Sequence, residues 1–378
     1  MNKFFDYASG SPIHPLVLEE MMPYWSDSFM NIASNNKQSN ELKELMNSRL
    51  EKIGDLLGLN PDGLIVTSGA TESINYAIIG ATEYYAKDNK VHIVTSKVEH
   101  SATLAVCEHL ASLGHKITYV NVDESGLIDI NHFQEIVQES PFLACFHHVN
   151  NETGVIQPVE RLCDIGKEKG VLMHIDASQT FGKLLVDFGS WSADYISFCS
   201  HKTQGPTGVG LLYRLQKPLR HLSPLIHGKG INYRPGTFPM ALFMGMARAI
   251  ELSMETHHQH VLKLKNTMLS LLDSHIISNV EAECTVPHII NLYCKDIFND
   301  LMLSALPEYV FSVGSACTSQ LNTPSHVLRA MGLSDDRIRC SLRISFHKSQ
   351  KIEDVKLFAQ QLNNAFIKLR EFLPHESI

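Results

Sequence analysis

One lysine in the sequence has the surroundings of a nucleophilic amine. Lys202 follows the alternating stretch 193–198, which predicts a buried strand, and it precedes a glycine-rich turn at 205–210. Burial lowers the pKa of a lysine because the charged form loses its hydration, and a neutral amine is suited to forming a Schiff base. A surface lysine in a loop is the alternative, and this stretch alone leaves both open.

Asp176 and His100 each follow a predicted strand. Asp176 comes directly after the apolar stretch 171–175, where an unpaired carboxylate is costly to bury. The protonated ring nitrogen of a pyridine cofactor would be a suitable partner, although an N-cap for a helix after Ala177 is the alternative. His100 precedes a predicted helix, where its imidazole is placed to stack on an aromatic ring or to move a proton.

The turn after the strand at 64–67 has the pattern of an anion-binding helix start. The strand runs into Ser68-Gly69-Ala70-Thr71, and a helix follows as far as Ala86. Free backbone N–H groups and the helix dipole favour an anion at such a point. An ordinary helix cap gives the same pattern, so the turn is a weak signal by itself.

Cys317 and Arg343 are candidates for contact with a substrate. Cys317 lies among small residues at 313–319, where we expect an exposed and mobile thiol, and an accessible thiolate attacks sulfur well. In the predicted strand 341–346, Arg343 lies on the face opposite the apolar residues. Its planar fork suits a substrate carboxylate. A surface thiol and a structural ion pair are the respective alternatives.

These candidates occur where predicted strands and helices alternate. The hydrophobic pattern predicts strands at 64–67, 91–95, 116–122, 142–147 and 171–175. It predicts helices at 40–57, at 101–114 with Ser101 as the cap, at 130–137 and at 159–169. This alternation predicts an α/β fold in which helices cover both faces of a mainly parallel sheet. Because ligands bind at the carboxyl ends of such strands, the polar residues that follow them should converge on one crevice.

The pattern changes character after residue 238. It predicts helices at 238–254, 257–272 and 351–369, and strands at 287–293, 309–313 and 341–346. This part has the size of a smaller α+β domain. We therefore predict a large domain at 12–255 and a small domain at 256–378, which residues 1–11 join and which carries the loop of Cys317.

Composition narrows the function classes. The 378 residues are 44% hydrophobic and 19% charged, as in ordinary globular proteins, and the net charge of −8 argues against direct nucleic-acid binding. No apolar segment approaches the ~18 residues that predict a membrane span, and residues 1–7 lack the pattern of a signal peptide. The eight cysteines lack metal-type spacing. We expect a cytoplasmic protein with reduced thiols and no metal site.

Taken together, these motifs resemble those of the cysteine desulfurases, which are fold-type I pyridoxal-phosphate enzymes of the class V aminotransferase group. The resemblance covers nearly the whole chain. Its motifs are TSGATES at 67–73, EH at 99–100, HVNNETG at 148–154, DASQ at 176–179, SHK at 200–202, RPGT at 234–237 and GSACTS at 314–319. Each motif is weak alone, and their common order makes the resemblance specific.

The resemblance implies how pyridoxal 5'-phosphate is held. Lys202 carries the Schiff base, Asp176 holds the pyridinium and Gln179 faces the phenolic oxygen. His100 stacks on the ring and is the acid–base partner for the thiols. In a homodimer, the phosphate is held by Ala70, Thr71, Ser200 and His201, together with Thr237 from the other subunit.

The resemblance also implies the reaction. Asn151 and Arg343 bind the carboxylate of L-cysteine, Cys317 takes the sulfur as a persulfide, and L-alanine is released. The sulfur then passes to an acceptor protein, which serves iron–sulfur assembly, tRNA thiolation or DNA phosphorothioation. The resemblance leaves the choice among these three pathways open. A selenocysteine lyase or a small-amino-acid transaminase, which should work without Cys317, is one alternative. A catalytically silent adaptor that keeps the fold to bind a partner protein is the other.

Overall fold

A computed structural model describes residues 3–87, 89–218, 220–228, 233–254, 258–314 and 324–372. Cys317 and the predicted domain boundary at residues 255 and 256 lie outside these ranges. The limits of the two domains therefore stay a prediction.

The larger sheet has seven strands in the order β1-β7-β6-β5-β4-β2-β3. They are β1 (Leu64–Thr67), β2 (His92–Ser96), β3 (Lys116–Val120), β4 (Leu143–His147), β5 (Leu172–Asp176), β6 (Tyr195–Cys199) and β7 (Gly210–Arg214). The pairs between β2, β3, β4, β5 and β6 are parallel, whereas β7 runs antiparallel to both of its neighbours, β1 and β6. The predicted α/β fold with a mainly parallel sheet is confirmed.

The helices fall between and after these strands. In the described ranges they are α1 (Pro15–Met21), α2 (Pro23–Ser26), α3 (Lys37–Leu57), α4 (Ala70–Ala86), α5 (Ser101–Ser112), α6 (Ile130–Ile136), α7 (Val159–Lys169), α8 (Met240–Ser253), α9 (His258–Leu271), α10 (Asn299–Ala305), α11 (His326–Ala330), α12 (Asp335–Arg339) and α13 (Ile352–Phe372). Gly58 and Gly170 end α3 and α7 in the left-handed conformation, where glycine has no steric cost.

The central strands are buried on both faces. Along β6, Ile196 and Phe198 pack into one hydrophobic core, and Tyr195 points into a second core on the opposite face of the sheet. This alternation follows from the two-residue period of a strand. The sequence of a strand that is covered on both sides is a continuous apolar run. The polar residues that follow the carboxyl ends of these strands lie at one edge of the sheet.

A second, antiparallel sheet is formed by the C-terminal part of the chain. Its strands are β8 (Ile276–Ser278), β9 (Ile289–Cys294) and β10 (Ser341–Ser345), in the order β10-β9-β8. Helices α9 and α13 pack on it around a separate core. Phe5 belongs to this core, and its ring stacks on that of Phe358 at 4.1 Å between centroids. The N-terminal segment therefore packs with the C-terminal part.

Two local predictions are wrong, and one strand of the large sheet was not predicted. Residues 309–313 form isolated bridges, Phe4 with Val310 and Ser312 with Arg343, instead of a strand. Strand β7 was not predicted from the sequence, because the glycines at 205–210 suggested only a loop. The cap of α5 is His100, whose Nδ1 accepts the N–H of Ala102 at 3.1 Å, so Ser101 is the first helical residue.

Candidate active site

The site is a cavity of about 330 Å³ at the carboxyl ends of the strands. Eight of the predicted site residues line it: Ala70, Thr71, His100, Asn151, Asp176, His201, Lys202 and Arg343. They come from segments that follow β1, β2, β4, β5 and β6, with Arg343 contributed by β10 of the second sheet. Polar residues that follow the strands therefore converge on one crevice in the structure, as the sequence predicts.

Lys202 lies in a tight turn directly after β6. The carbonyl of Ser200 accepts the Thr203 hydroxyl at 2.8 Å and the Gly205 N–H at 3.2 Å, which closes the turn. A side chain at Gly205 would place its Cβ 2.0 Å from Ser200 Oγ, so only glycine fits there. Lys202 is half-buried. The turn fixes the backbone and leaves the amine at the cavity wall.

Asp176 is the last residue of β5 and is an ionised carboxylate in a buried place. Its Oδ1 accepts the N–H of Ser178 at 2.9 Å, and no helix follows Ala177. Burial raises the pKa of Asp176, but the hydrogen bonds from Ser178, with a further contribution from the charge of Lys202, outweigh it. The net pKa lies below its ordinary value, so this carboxylate is ready to hold a cation.

The start of α4 offers unpaired backbone donors to the cavity. Gly69 is the N-cap and provides no side-chain acceptor, and Ala70 and Thr71 line the cavity wall. Glu72 is turned towards Ser68 N–H at 2.7 Å and towards Arg234 Nε at 2.8 Å. The first-turn N–H groups and the dipole of a 17-residue helix therefore face the cavity.

His100 is held at the cavity wall by its role as a helix cap. Burial lowers its pKa, and the charge of Lys202 adds to this effect, while Asp176 partly opposes it. The preceding Glu99 is fully buried, where its carboxylate accepts Ser96 Oγ at 2.7 Å and lies 2.8 Å from His147 Nδ1. A neutral imidazole at this position can accept a proton near neutral pH.

Arg343 reaches the cavity from β10 and is 1% exposed. Its Nη2 lies 2.7 Å from Asp6 Oδ1, and its Nη1 donates to the Asn151 carbonyl at 2.9 Å. Its Nε has no hydrogen-bond partner in the described structure. The guanidinium is therefore both half of an ion pair and a donor with unused capacity beside the cavity.

Four predicted site residues lie elsewhere or outside the described ranges. The amide of Gln179 is directed to the Ala8 carbonyl at 2.8 Å and to Lys183 Nζ at 2.6 Å. Ser200 is fully buried behind the wall, and its Oγ has no partner among the described residues. Thr237 is exposed, and Cys317 lies outside the described residues. Their roles stay predictions.

Three residues of the site were not predicted from the sequence. Asp6 pairs with Arg343 across the whole chain, and no local signal could have shown it. Glu152 is fully buried at the cavity, where its Oε2 accepts Ser325 Oγ at 2.6 Å. His326 also lines the cavity, with Nε2 2.9 Å from the Glu99 carbonyl. Only Glu152 had a signal, because it belongs to the motif at 148–154.

Comparison with known proteins identifies the family. The family model "Aminotransferase class-V" matches residues 3–358. The cysteine desulfurase IscS of Vibrio vulnificus (strain YJ016) is 35% identical over 381 residues, which cover 98% of this chain and 94% of the relative. A solved NifS-like protein has a TM-score of 0.90 at 31% identity, covering 99% of this chain and 100% of its own. SspA in complex with cysteine has a TM-score of 0.83 at 33% identity, covering 92% of this chain and 100% of its own.

The fold and the site together define a fold-type I pyridoxal-phosphate enzyme, with a lysine turn after β6 and an ionised carboxylate at the end of β5. The chain belongs to the class-V aminotransferase family, and within it to the cysteine desulfurases. The resemblance read from the motifs and the predicted cofactor are both confirmed.

The residues present fit pyridoxal phosphate. The uncapped start of α4 suits a phosphate, and the ionised Asp176 suits a pyridinium nitrogen. Among the described residues, no group of three or more histidine, cysteine, aspartate or glutamate side chains is placed to bind a metal ion. No helix in the described ranges is long and apolar enough to cross a membrane.

Proposed function

We propose that this protein converts L-cysteine to L-alanine in the cavity beside Lys202 and transfers the sulfur to Cys317 as a persulfide. The observation that carries the proposal is the convergence of an amine, an ionised carboxylate and a guanidinium on one cavity, from Lys202, Asp176 and Arg343. The Lys202 amine suits attachment of the cofactor, and the Asp176 carboxylate suits the ring nitrogen of that cofactor. The Arg343 guanidinium suits the carboxylate of an amino acid.

Each residue has a task that follows from its chemistry. Bound pyridoxal phosphate supplies an electron sink for negative charge at the α-carbon of the substrate. Arg343 and the neighbouring Asn151 orient the substrate carboxylate, and the Lys202 amine accepts the α-proton. The carboxylate of Asp176, whose pKa lies below its ordinary value, would hold the ring nitrogen of that cofactor in its protonated form. His100, kept neutral by burial and by Lys202, accepts the proton of a thiol.

The sulfur step balances within the protein and the substrate. The thiolate of Cys317 attacks the sulfur of L-cysteine, a sulfur–sulfur bond forms, and the bond between carbon and sulfur breaks. Its electron pair passes to the substrate carbon, which is protonated to give the methyl group of L-alanine. The substrate carbon is reduced, and the sulfur is oxidised to the outer sulfur of the persulfide.

A homodimer would complete the phosphate site. Thr237 is exposed in the single chain, and the salt bridge between Arg234 and Glu72 ties its segment to the start of α4. A partner subunit could present its own Thr237 segment to this site. Size-exclusion chromatography with light scattering should give a dimer, and Thr237→Ala should weaken cofactor retention, whereas Thr267→Ala on α9 should not.

The decisive experiment compares two cysteines. Cys317→Ser should abolish both alanine formation from L-cysteine and the gain of one sulfur atom in the mass of the intact protein. Cys284→Ser is the matched control, because Cys284 is a partly exposed free cysteine outside the cavity, and it should keep both. Alanine and sulfide release that persist in Cys317→Ser would reject the persulfide route and favour a lyase or transaminase.

We further propose that the persulfide passes to an acceptor protein. Iron–sulfur assembly, tRNA thiolation and DNA phosphorothioation are the acceptor pathways that the sequence leaves open. Enzyme loaded with radiolabelled L-cysteine should transfer label to one protein of a cell extract, and Cys317→Ser should label none. Label that stays on the enzyme until a reductant is added would contradict a dedicated acceptor.

A further inference from the structure

A second cavity adjoins the active site and shares Lys202 with it. It has a volume of about 420 Å³, which is in the usual range for small-molecule pockets. Four segments meet around it: the turn after β5, the end of α8, the start of α9 and the segment after β10. The reaction proposed above uses none of its other lining residues.

The lining of this second cavity is basic. Its histidines are His14, His148, His258, His288 and His347. None of the described residues that line it is an aspartate or a glutamate, although the chain as a whole has a net charge of −8. The lysines of the lining are Lys183, Lys202 and Lys348, and a concave surface whose charged groups all have one sign attracts ligands of the opposite sign.

His288 has a ring nitrogen that no described residue satisfies. It is 5% exposed, and its Nε2 has no hydrogen-bond partner among the described residues. Burial lowers its pKa well below the ordinary value, and the neighbouring Lys183, Lys265, His258 and His347 add to this effect. An unpartnered buried nitrogen is satisfied by a hydrogen-bonding group, and the neighbouring lysines favour one that carries negative charge.

Lys183 gives the same cavity a second group with unused hydrogen-bonding capacity. Its ammonium makes one hydrogen bond in the described structure, to Gln179 Oε1 at 2.6 Å. Burial, with a further contribution from the positive charges of Lys202 and Arg343, lowers the pKa of Lys183 to about 7. An ammonium has three donors, so Lys183 can bind an anion without releasing Gln179.

The rest of the lining is apolar and restricts the kind of anion. Leu184, Val186, Leu252, Val261 and Phe346 line the cavity, so a ligand with an apolar body would bury hydrophobic surface there. No carboxylate among the described lining residues could receive an ammonium group. An amino acid, such as the substrate or the product, therefore matches the cavity poorly.

We propose that this cavity binds a small organic anion, a carboxylate with an aliphatic body, whose head lies against Lys183 and His288. Bound charge favours the protonated forms of the groups that face it, so binding takes up protons and becomes tighter as the pH falls. Those groups are Lys183 from the turn after β5, His288 before β9, His258 on α9, His347 and Lys348 after β10, His14 before α1, and His148 after β4. Tyr7 also faces the cavity, but burial raises its pKa, so it stays neutral.

Calorimetric titration of the holoenzyme tests this proposal. The probes are hexanoate, hexylamine as its cationic counterpart, and inorganic phosphate as an anion without an apolar body, each at pH 6.5 and pH 8.5. Hexanoate should bind roughly tenfold tighter at the lower pH, since uptake of one proton changes affinity by at most about tenfold per pH unit. Hexylamine should not bind. Equal binding of hexylamine, or no pH dependence for hexanoate, would overturn the proposal, as would tighter binding of phosphate.

Two variants locate the bound carboxylate. Lys183→Met and His288→Gln should each weaken hexanoate binding at pH 6.5 by roughly tenfold or more, the loss expected for one charge-assisted hydrogen bond. Lys167→Met is the matched control, because Lys167 is exposed on α7 away from the cavity, and it should bind as the wild type does. Circular dichroism and the visible absorbance of the bound cofactor report folding independently of activity. Unchanged affinity in either variant that folds would overturn the assignment of the head group.

Discussion

Arg343 and Asp6 form an ion pair of 2.7 Å between residues that are 337 positions apart in the chain. The arginine is on β10, and the aspartate is in the N-terminal segment that also contributes Phe5 to the second core. Because Arg343 lines the active-site cavity, the pair connects the N-terminal segment to the substrate region. The sequence left open whether Arg343 binds substrate or forms a structural ion pair, and the second of these is present in the structure.

Loss of the Asp6 charge should destabilise the fold strongly. Asp6→Asn leaves the guanidinium of Arg343 buried without its counter-charge, and breaking such a pair from one side costs about 3–5 kcal/mol. Urea unfolding at pH 7.5 should show this loss in the free energy of unfolding. Asp27→Asn, at an exposed aspartate after α2, should change it little. Equal stability of the two variants would contradict a structural role for the pair.

Asp176→Asn should slow alanine formation by about ten- to a hundredfold. The variant keeps the shape of the side chain but removes the charge that would hold the ring nitrogen as a cation. Hydrogen bonds to charged groups are worth about 1.5–3 kcal/mol, and about 1.4 kcal/mol corresponds to a factor of ten in rate. Initial rates with L-cysteine measure the effect, with Asp164→Asn on the exposed side of α7 as the control. A rate within twofold of the wild type would show that the charge of Asp176 has no role in the reaction.

Ser200→Ala should have opposite effects on the apoprotein and on cofactor binding. Its Oγ is buried without a partner in the described structure, so its removal should leave the melting temperature of the apoprotein unchanged or higher. The same change should weaken retention of pyridoxal phosphate, because a phosphate would lose a hydroxyl donor. Ser197→Ala, which removes the partner of His174 Nε2 at 2.8 Å, should instead destabilise the apoprotein by about 1–3 kcal/mol. Destabilisation of equal size in both apoproteins would contradict the prediction.

The His147–Glu99 pair should stabilise the fold most at low pH. Burial by itself lowers the pKa of His147, but the attraction and hydrogen bond of Glu99 outweigh it and raise the pKa above its ordinary value of 6.5. The folded protein therefore holds this proton more tightly than the unfolded chain does. The stabilisation is fully present below pH 6.5 and is lost as the pH rises through the raised pKa. The difference in free energy of unfolding between wild type and His147→Gln should accordingly shrink from pH 6 to pH 9.

His174, on the neighbouring strand β5, should give the opposite pH dependence. Burial lowers its pKa to about 4, with Asp176 opposing only in part. The unfolded chain therefore binds more protons between about pH 4 and pH 6.5, and the contribution of His174 to stability increases as the pH rises through that interval. His174→Gln should remove this rise. For each variant, the difference in free energy of unfolding from the wild type is followed against pH. If this difference changes in the same direction for His147→Gln and His174→Gln, the pKa directions of the two histidines are misassigned.

Much of the fold could be predicted because its signals are local. The period of apolar residues identified α3 and α7 nearly to their ends, where Gly58 and Gly170 allow the left-handed turn that ends a helix. The continuous apolar runs of β4 and β5 indicated strands buried on both faces. Strand β7 was not predicted, because the glycines before it suggested only a turn. Residues 309–313 were wrongly predicted as a strand, because an apolar run does not show whether a partner strand is available.

The sequence by itself determined the chemistry of the site: the lysine after β6, the aspartate that ends β5 and the glycine turn that begins α4 are properties of neighbouring residues. Tertiary structure alone decided which charges meet. The pairing of Asp6 with Arg343, the ionised state of Asp176 and the cationic lining around His288 depend on burial and on contacts between distant segments. Local periodicity reports the environment of one element, whereas electrostatic interactions depend on distances that exist only after the chain has folded.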